Sequence, residues 1–262
     1  MNPTTSDTLL RTTADGIATL TLNRPTQFNS LAEELLVALQ CELDVIAKDE
    51  SIRVVVIAGA GKAFCAGHDL KEMRANHDKA YMQSLFKQCG KLMLTLQQIP
   101  QPVIARVHGV ATAAGCQLVA SCDLAVASDN ARFAVSGINV GLFCTTPAVA
   151  LSRAMARKQA MEMLLTGDFI DAAEAARRGL VNRVVPLDVL DAEVERLARS
   201  IIGKSPVAVA MGKQAFYQQL EMGIEGAYQL AAETMACNMM THDAAHGIDC
   251  FMARETPVWT GR

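Results

Sequence analysis

Several features are missing from this 262-residue sequence, and each absence argues against a class of protein. No apolar run is long enough to span a bilayer, so no transmembrane helix is predicted. The 24 lysines and arginines are matched by 27 aspartates and glutamates, with no basic block, so a nucleic-acid-binding surface is not indicated. Charged residues make up only 19% and hydrophobic residues 51%, which argues against disorder and allows a large core.

Cysteine pairs with metal-site or redox spacing are also missing. Eight cysteines are present, but none forms a C-x-x-C motif. Free, mostly buried thiols in a reducing compartment are therefore predicted, and no metal is implied. The first residues, MNPTTSDTLLRTTADG, show neither a signal-peptide nor a transit-peptide pattern. These observations together give the expectation of a cytoplasmic protein.

The order of the predicted elements indicates an α/β protein. Asp15-Gly16 separates two alternating segments and predicts a β-hairpin, and the apolar run Val54–Ala58 predicts a strand buried on both faces. After about residue 200 the pattern is almost entirely helical. We therefore expect a core over residues 1–200 and a helical oligomerisation region over residues 201–262. Five methionines in the second region suit either core packing or an oligomer interface: Met211, Met222, Met235, Met239 and Met240.

Two segments, Val54–Met73 and Pro102–Asp123, share one design: an apolar strand, a turn of small residues, and a helix. The first N–H groups of a helix have no partner within it, and the helix dipole favours negative charge there. Each turn can therefore aim a backbone N–H at an anion. Two such donors aimed at one point would form an oxyanion hole.

Four motifs carry a resemblance that covers nearly the whole chain: LNRP at 22–25, AFCAGHDLKEM at 63–73, HGVATAAGCQLVASCD at 108–123 and MLLTGDFIDAAEAARRGLVNRVV at 163–185. They resemble the enoyl-CoA hydratase/isomerase (crotonase) superfamily. The resemblance implies a spiral of ββα turns with a C-terminal helical trimerisation region, assembled as a homotrimer or a dimer of trimers. It also implies that the protein binds acyl-CoA thioesters and stabilises a thioester enolate, with coenzyme A as part of the substrate and no separate cofactor.

The resemblance assigns the two oxyanion-hole donors to the backbone N–H groups of His68 and Ala114. It also implies a set of substrate-binding residues, which are Gln27, Phe28, Ala66, Asp69, Leu70, Lys71, Ser136, Asn139, Thr145 and Arg254. Some of these have simpler explanations. With Glu72 three residues later, Asp69 resembles a capping box for the next helix, and Lys71 and Arg254 would otherwise be ordinary solvated charges.

The catalytic carboxylates that the resemblance leads one to expect are missing. Hydratases of this family use two glutamates, and Gln117 and Gly137 occupy those positions here, while Thr145 occupies an aspartate position of dienoyl isomerases. Hydration needs one group to take a proton and one to deliver a proton, so hydratase activity is doubtful. His68 could substitute as an acid or base in an isomerase or decarboxylase, or it could only shape the pocket. A non-catalytic acyl-CoA-binding protein is the alternative.

One further pattern has metal-site spacing. His242 and His246 are four residues apart, as in zinc-peptidase helices. The same stretch corresponds to a helix start in the family, where acidic residues usually occupy both histidine positions. We therefore expect Asp243 to be a helix cap or a surface residue, and no zinc site.

Overall fold

The computed structural model describes residues 7–262, which fold into two predominantly parallel sheets and surrounding helices. The strands of this part of the chain are β1 Leu9–Ala14, β2 Ile17–Leu22, β3 Val54–Gly59, β4 Ala63–Cys65, β5 Val103–Val107, β6 Val110–Thr112, β7 Leu124–Ser128, β8 Arg132–Ala134, β9 Ile170–Asp171 and β10 Arg183–Val185. Its α-helices are α1 Glu33–Ile46, α2 Leu70–Ala75, α3 Lys79–Gln98, α4 Ala114–Ser121, α5 Thr145–Ala154, α6 Arg157–Thr166, α7 Ala172–Arg177, α8 Leu190–Ile202, α9 Pro206–Gln219, α10 Ile224–Met239 and α11 His242–Ala253. Short 3-10 helices occupy Pro25–Gln27, Ser136–Val140 and Leu187–Val189.

The sheets repeat one unit along the chain. The larger sheet has the order β1-β2-β3-β5-β7-β10, and the smaller sheet has the order β4-β6-β8-β9. The pairs β3/β4, β5/β6 and β7/β8 each give one strand to each sheet before a helix follows. Neighbouring strands from these repeats are parallel. The predicted spiral of ββα turns is therefore confirmed, as is the helical C-terminal region.

The predicted hairpin and the predicted buried strand are both present. Asp15 and Gly16 have φ angles of +50° and +79°, the left-handed pair that a two-residue hairpin turn requires. Along β3, Val54 and Val56 pack in the hydrophobic cluster that includes α8, whereas Val55 and Ile57 pack in the main core. The continuous apolar run of β3 follows from this burial on both faces.

Two strands next to the turns were not predicted. Strands β4 and β6 have three residues each, and their sequences were interpreted as parts of the glycine-rich turns. Three residues are too few to show an alternating pattern. By contrast, the sequence predicts a long helix over Lys79–Gln98 that ends before Pro100, and α3 has these bounds. Asp78 caps its first turn by accepting from Tyr81 N–H.

A buried polar cluster fixes the C-terminal helices to the core. The Nζ atom of Lys213, on α9, lies 2.7 Å from the Leu96 carbonyl oxygen, 2.8 Å from the Gln101 carbonyl oxygen and 2.7 Å from Asp123 Oδ2. Tyr217, one helical turn later, donates to Asp123 Oδ1 over 2.8 Å. The proposed boundary between residues 200 and 201 stays a prediction, and the first six residues of the expected core lie outside the described residues.

The C-terminal helices leave large apolar side chains on the surface. Met240 and Phe251 are each 84% exposed, and Tyr228 is 72% exposed. Met222, Met235 and Met239 are also exposed, so packing in the core of this chain does not explain them. Such a concentration of exposed apolar side chains is typical of an interaction surface. None of the helices in residues 7–262 combines the length and apolarity needed to cross a membrane.

The expectation for Asp243 is wrong. Its side chain is buried and accepts hydrogen bonds from Ser205 Oγ, from Thr260 N–H and Oγ1–H, and from Gly261 N–H. Thr241 caps α11 instead, by accepting from Ala244 N–H. Because the chain folds back after α11, its last residues supply most of the donors that stabilise this carboxylate. Sequence patterns do not show such a return.

Candidate functional site

The two glycine-rich turns contact each other through their backbones. A Cβ atom at Gly115 would lie 2.1 Å from the Cys65 carbonyl oxygen. At Gly67, which has a φ angle of +91°, a Cβ atom would lie 2.9 Å from Ala113 Cβ and 3.1 Å from Ala114 N. Only glycine permits approaches this close. The turn after β4 and the turn after β6 therefore form one site.

Both candidate N–H groups are left without a backbone acceptor in the described chain. Leu31 donates to the Gly67 carbonyl oxygen over 2.8 Å, and its own carbonyl oxygen lies 3.4 Å from Asp69 N. Alternate amides of an extended segment point in opposite directions, so the N–H of His68 points away from Leu31. Ala114 is the first residue of α4, where an N–H has no partner within the helix.

Ala113 occupies a backbone conformation that normally requires glycine. Its φ and ψ angles are +51° and −120°, while its N–H donates to the Ala134 carbonyl oxygen over 3.0 Å. An alanine in this region carries backbone strain of about 1–3 kcal/mol. The turn therefore keeps the geometry of a glycine turn although alanine is present.

The side chain of His68 is largely buried and neutral. Its Nδ1 atom lies 3.4 Å from the Leu31 carbonyl oxygen, and its ring meets Phe86 edge-on with centroids 5.3 Å apart. Its Nε2 atom is buried, and no side chain or backbone group of residues 7–262 bonds to it. Burial lowers the pKa of His68 from its ordinary value of 6.5, so the ring is neutral at pH 7.

Gln117 lies one turn into α4, three residues after Ala114. It is only 4% exposed, and its Oε1 atom is buried without a hydrogen-bond partner among the described residues. Residues three apart share a helix face, and helical side chains lean towards the N-terminus. The Gln117 amide is therefore directed towards the end of α4 that carries the Ala114 N–H.

Gly137 cannot be exchanged for glutamate without moving its neighbours. A Cβ atom there would lie 2.6 Å from Cys144 Sγ and 2.7 Å from the Leu142 carbonyl oxygen. The loop between the 3-10 helix and α5 thus fills the space that a longer side chain would need. Burial raises the pKa of the Cys144 thiol above its ordinary value of 9.0, so this neighbour is uncharged at pH 7.

Of the predicted acyl-binding residues Ser136, Asn139 and Thr145, one contacts the second turn and two are exposed. Ser136 is brought to the second turn, because its Oγ atom lies 2.7 Å from Oγ1 of Thr112, the residue before Ala113. Asn139, in the 3-10 helix Ser136–Val140, and Thr145, the first residue of α5, are both exposed. The sequence did not single out Thr112, although it stands directly before the turn.

The segment after β2 is held against the first turn. Ala66 N–H donates to the Phe28 carbonyl oxygen over 3.0 Å, while the side chains of Gln27 and Phe28 are exposed. Asn29, which is fully buried, donates to the carbonyl oxygens of Ala60 and Ala63 over 2.8 Å each. Sequence reasoning missed the role of Asn29, and its only signal was its place after the LNRP motif.

Asp69 is a helix cap that is also tied to the LNRP segment. Its carboxylate accepts from Lys71 N–H and Glu72 N–H and forms an ion pair of 2.9 Å with Arg24. Burial alone would raise the pKa of Asp69, but the bonds from Arg24, Glu72 N–H and Ser30 outweigh it and lower the pKa. The other half of the expected capping box is wrong, because the Glu72 carboxylate accepts from Glu33 N–H instead.

The remaining predicted contacts are at the surface. Leu70 is 55% exposed, and Lys71 is exposed beside it. Arg254 is an exposed residue with a φ angle of +62° at the end of α11. Within the described chain, no hydrogen bond or ion pair joins Arg254 to the two turns. The structure therefore assembles the turn residues but leaves these three as surface groups.

Comparisons with known proteins cover almost the whole chain. The sequence profile described as "Enoyl-CoA hydratase/isomerase" matches residues 12–262. The mitochondrial enoyl-CoA hydratase domain-containing protein 3 of Xenopus laevis is 47% identical, covering 94% of this chain and 83% of that protein, and its human counterpart is 44% identical, covering 94% and 81%. The crystal structure of an enoyl-CoA hydratase from Mycobacterium smegmatis superposes with a TM-score of 0.95 at 56% identity, covering 97% of this chain and 99% of that one.

These names correct the expected location. The Xenopus and human relatives are both named as mitochondrial proteins. The cytoplasmic expectation rested on the absence of a targeting pattern and on unpaired cysteines, neither of which separates the cytosol from other reducing compartments. The finding therefore contradicts it. Of the cysteines expected to be mostly buried, Cys41 and Cys237 are exposed.

Proposed function

The chain belongs to the enoyl-CoA hydratase/isomerase family, and from that premise we propose that it binds acyl-CoA thioesters and polarises their carbonyl group with the backbone N–H groups of His68 and Ala114. The contact between the two turns, with both N–H groups left without a backbone acceptor, is the observation that supports this most strongly. Each such donor contributes about 2.7–4 kcal/mol when negative charge develops on the oxygen. The proposal needs no cofactor beyond the coenzyme A of the substrate.

The proposal is tested by pushing the two turns apart. In Gly67→Ala, the added Cβ would meet Ala113 and Ala114 N, and the φ angle of +91° disfavours alanine. We expect the dissociation constant for butyryl-CoA, measured by calorimetry, to rise about three- to tenfold, since one lost hydrogen bond between neutral groups is worth about that factor. Gly90→Ala, in α3 where a Cβ meets nothing within 4 Å, is the matched control. Unchanged binding by folded Gly67→Ala would contradict the proposal.

We propose that hydration is not the principal reaction of this site. Gln117 cannot titrate and Gly137 has no side chain, and each missing acid or base costs about 10²–10⁴ in rate. Because a Cβ at Gly137 is blocked, the informative substitution is Gln117→Glu alone. We expect this variant to hydrate crotonyl-CoA faster than the wild type, in a spectrophotometric assay of the enoyl band. Rapid hydration by the wild-type protein would contradict this part of the proposal.

Whether His68 acts as a base decides between an enzyme and a non-catalytic acyl-CoA carrier. Its neutral ring and buried, unpartnered Nε2 favour a base that takes a proton from the thioester, as isomerisation through an enolate requires. Exchange of the α-protons of butyryl-CoA in D₂O, followed by NMR, detects such a step. Loss of exchange in His68→Gln would support the enzyme. No exchange in wild type, with thioester binding retained, would support the carrier.

We propose that the exposed apolar side chains of α10 and α11 form a subunit interface of a homotrimer or a dimer of trimers. Phe251 is the residue to substitute, because it is a large aromatic side chain that is 84% exposed. A buried glutamate in place of an aromatic anchor costs an interface about 2 kcal/mol or more. Sedimentation should therefore show smaller species for Phe251→Glu than for wild type, while Leu94→Glu, on α3, should leave the assembly unchanged.

A further inference from the structure

The direction of the His68 N–H is set by a single peptide plane. The Gly67 carbonyl and the His68 N–H belong to one trans peptide group, so they point in opposite directions. The Gly67 carbonyl oxygen accepts from Leu31 N–H over 2.8 Å, which directs the His68 N–H away from Leu31. Gly67 has a φ angle of +91° and no Cβ, so local sterics restrict this plane little. The plane is therefore held from residues 24–31, outside the turn.

The two segments that meet at this bond are joined by one side chain, that of Arg24. Its Nη1 atom donates to the Ser30 carbonyl oxygen over 2.6 Å and to Ser30 Oγ over 3.0 Å, and Ser30 directly precedes Leu31. Its Nη2 atom donates to Asp69 Oδ2 over 2.9 Å, and Asp69 directly follows His68. Ser30 Oγ donates to the same oxygen of Asp69 over 3.1 Å. The guanidinium thus bridges both sides of the contact.

The position of Arg24 is fixed by its own loop. Its backbone N–H donates to Asn29 Oδ1 over 2.9 Å, and its carbonyl oxygen accepts from Asn29 N–H over 2.9 Å. The side chains of Arg24 and Asp69 are 18% and 12% exposed, so water competes little for their charge-assisted bond. A guanidinium is a planar fork of several N–H donors, whereas a lysine has one ammonium nitrogen. Only an arginine can therefore hold Ser30 and Asp69 with two separate nitrogens.

We propose that Arg24 is a positioning residue of the oxyanion hole, which sets the direction of the His68 N–H by holding Ser30 and Asp69 together. This inference rests on the proposed function of the same site. Without the guanidinium, the two segments can separate and the peptide between Gly67 and His68 can rotate. The second donor is unaffected, because the Ala114 N–H is placed by the start of α4.

The test uses butyryl-CoA labelled with ¹³C at the thioester carbon, because hydrogen bonds to a carbonyl oxygen move the NMR signal of its carbon downfield. In the wild type, the bound signal should lie downfield of the free one. Arg24→Met should lose about half of this displacement, because one of two donors is misdirected. The dissociation constant for butyryl-CoA, measured by calorimetry, should rise about three- to tenfold, the factor of one hydrogen bond.

A second ion pair of the chain provides the matched control. Arg11 and Glu42 join β1 to α1 over 3.0 Å, and their side chains are 16% and 12% exposed, close to the values for Arg24 and Asp69. Arg11→Met and Arg24→Met should therefore lose similar free energies of unfolding in urea, while only Arg24→Met changes the bound ¹³C signal. Arg24→Lys keeps the positive charge on a single nitrogen, and it should lose the displacement as well. It also serves as the test if Arg24→Met does not fold.

The outcomes separate this inference from the proposed function. The full wild-type displacement in folded Arg24→Met overturns the inference alone. Full displacement in Arg24→Lys also overturns it, because charge and not the forked geometry would then be responsible. An equal loss in Arg11→Met does the same, since general destabilisation would explain both variants. If the wild type does not bind butyryl-CoA, or binds it without a downfield displacement, the proposed function fails and the inference fails with it.

Discussion

The paired turns and the C-terminal helices are held in place by opposite means. At the turns, backbone lies against backbone, so that Gly115 and Gly67 have no room for a side chain. The C-terminal helices are attached by side chains, chiefly through the Lys213–Asp123 cluster, and a Cβ at Gly212 in α9 would meet nothing within 4 Å. Precise placement of N–H groups thus depends on close backbone packing, whereas the helices tolerate variation except where a buried charge anchors them.

The largest effect is expected at that anchor. Lys213→Met removes the cation that faces two carbonyl oxygens and Asp123, leaving a largely buried carboxylate without its ion pair. Breaking such a pair costs about 3–5 kcal/mol of unfolding free energy. Denaturant unfolding measures it, with Lys87→Met on the exposed face of α3 as the control. A loss no greater than that of the control would show that side-chain anchoring is not what holds these helices.

The second effect tests the backbone contact. Gly115→Ala would place Cβ 2.1 Å from the Cys65 carbonyl oxygen, and overpacking of this kind costs about 3 kcal/mol. Gly90→Ala, a helical glycine with free space, should stabilise by about 0.5–1 kcal/mol. Opposite signs in the two unfolding free energies are the predicted result. Similar values would mean that the turns are not closely packed.

The third effect concerns Asp243, which binds the residues that follow α11. Asp243→Asn replaces one carboxylate oxygen with an NH₂ group, which cannot accept from the N–H donors around it. We expect the free energy of unfolding to fall by about 2 kcal/mol. Burial alone would raise the pKa of Asp243, but bonds from Ser205, Thr260 and Gly261 lower it to about 2. A depressed carboxyl pKa stabilises the fold above its ordinary value of 3.8 and loses that contribution as the pH falls towards 2.

Urea unfolding of wild type and Asp243→Asn across pH 7 to 3 gives the measurement. The difference in unfolding free energy should be constant down to about pH 5 and shrink below about pH 4. A difference that grows on acidification would have the wrong sign for a stabilised carboxylate.

The smallest effect is expected at Ala113, where the substitution is alanine to glycine instead of glycine to alanine. Ala113→Gly relieves the strain of a φ angle of +51° but adds flexibility to the unfolded chain, and we expect a net stabilisation of about 1 kcal/mol. Gly90→Ala in α3 and Ala113→Gly in the turn should therefore both stabilise the protein, although they are opposite substitutions. Destabilisation by Ala113→Gly would argue that the turn is not strained.

The sequence predicted the elements whose signals are local. The Asp15-Gly16 hairpin, the two-sided strand β3 and the bounds of α3 follow from turn chemistry, burial pattern and capping, and all are present. Of the site, the strand–turn–helix repeats predicted that two helix starts could converge, and Gly67 and Gly115 show how closely the turns approach.

What the sequence could not predict depends on contacts between distant segments. The Glu72 carboxylate accepts from Glu33 N–H instead of capping its own helix, and Asp243 is stabilised by residues that follow α11. Strands β4 and β6 were too short for a periodic pattern. The obstruction at Gly137 arises from the loop that brings Cys144 and the Leu142 carbonyl oxygen back against it, which no local pattern indicates.

The most direct test of the central claim is the carbonyl stretching frequency of butyryl-CoA labelled with ¹³C at the thioester carbon. Two backbone N–H donors from His68 and Ala114 should shift the bound frequency below its value in water, by the same amount at pH 6 and pH 8 because amides do not titrate. Gly67→Ala should reduce the shift and Gly90→Ala should preserve it. A bound carbonyl with the same frequency as in water would contradict the account.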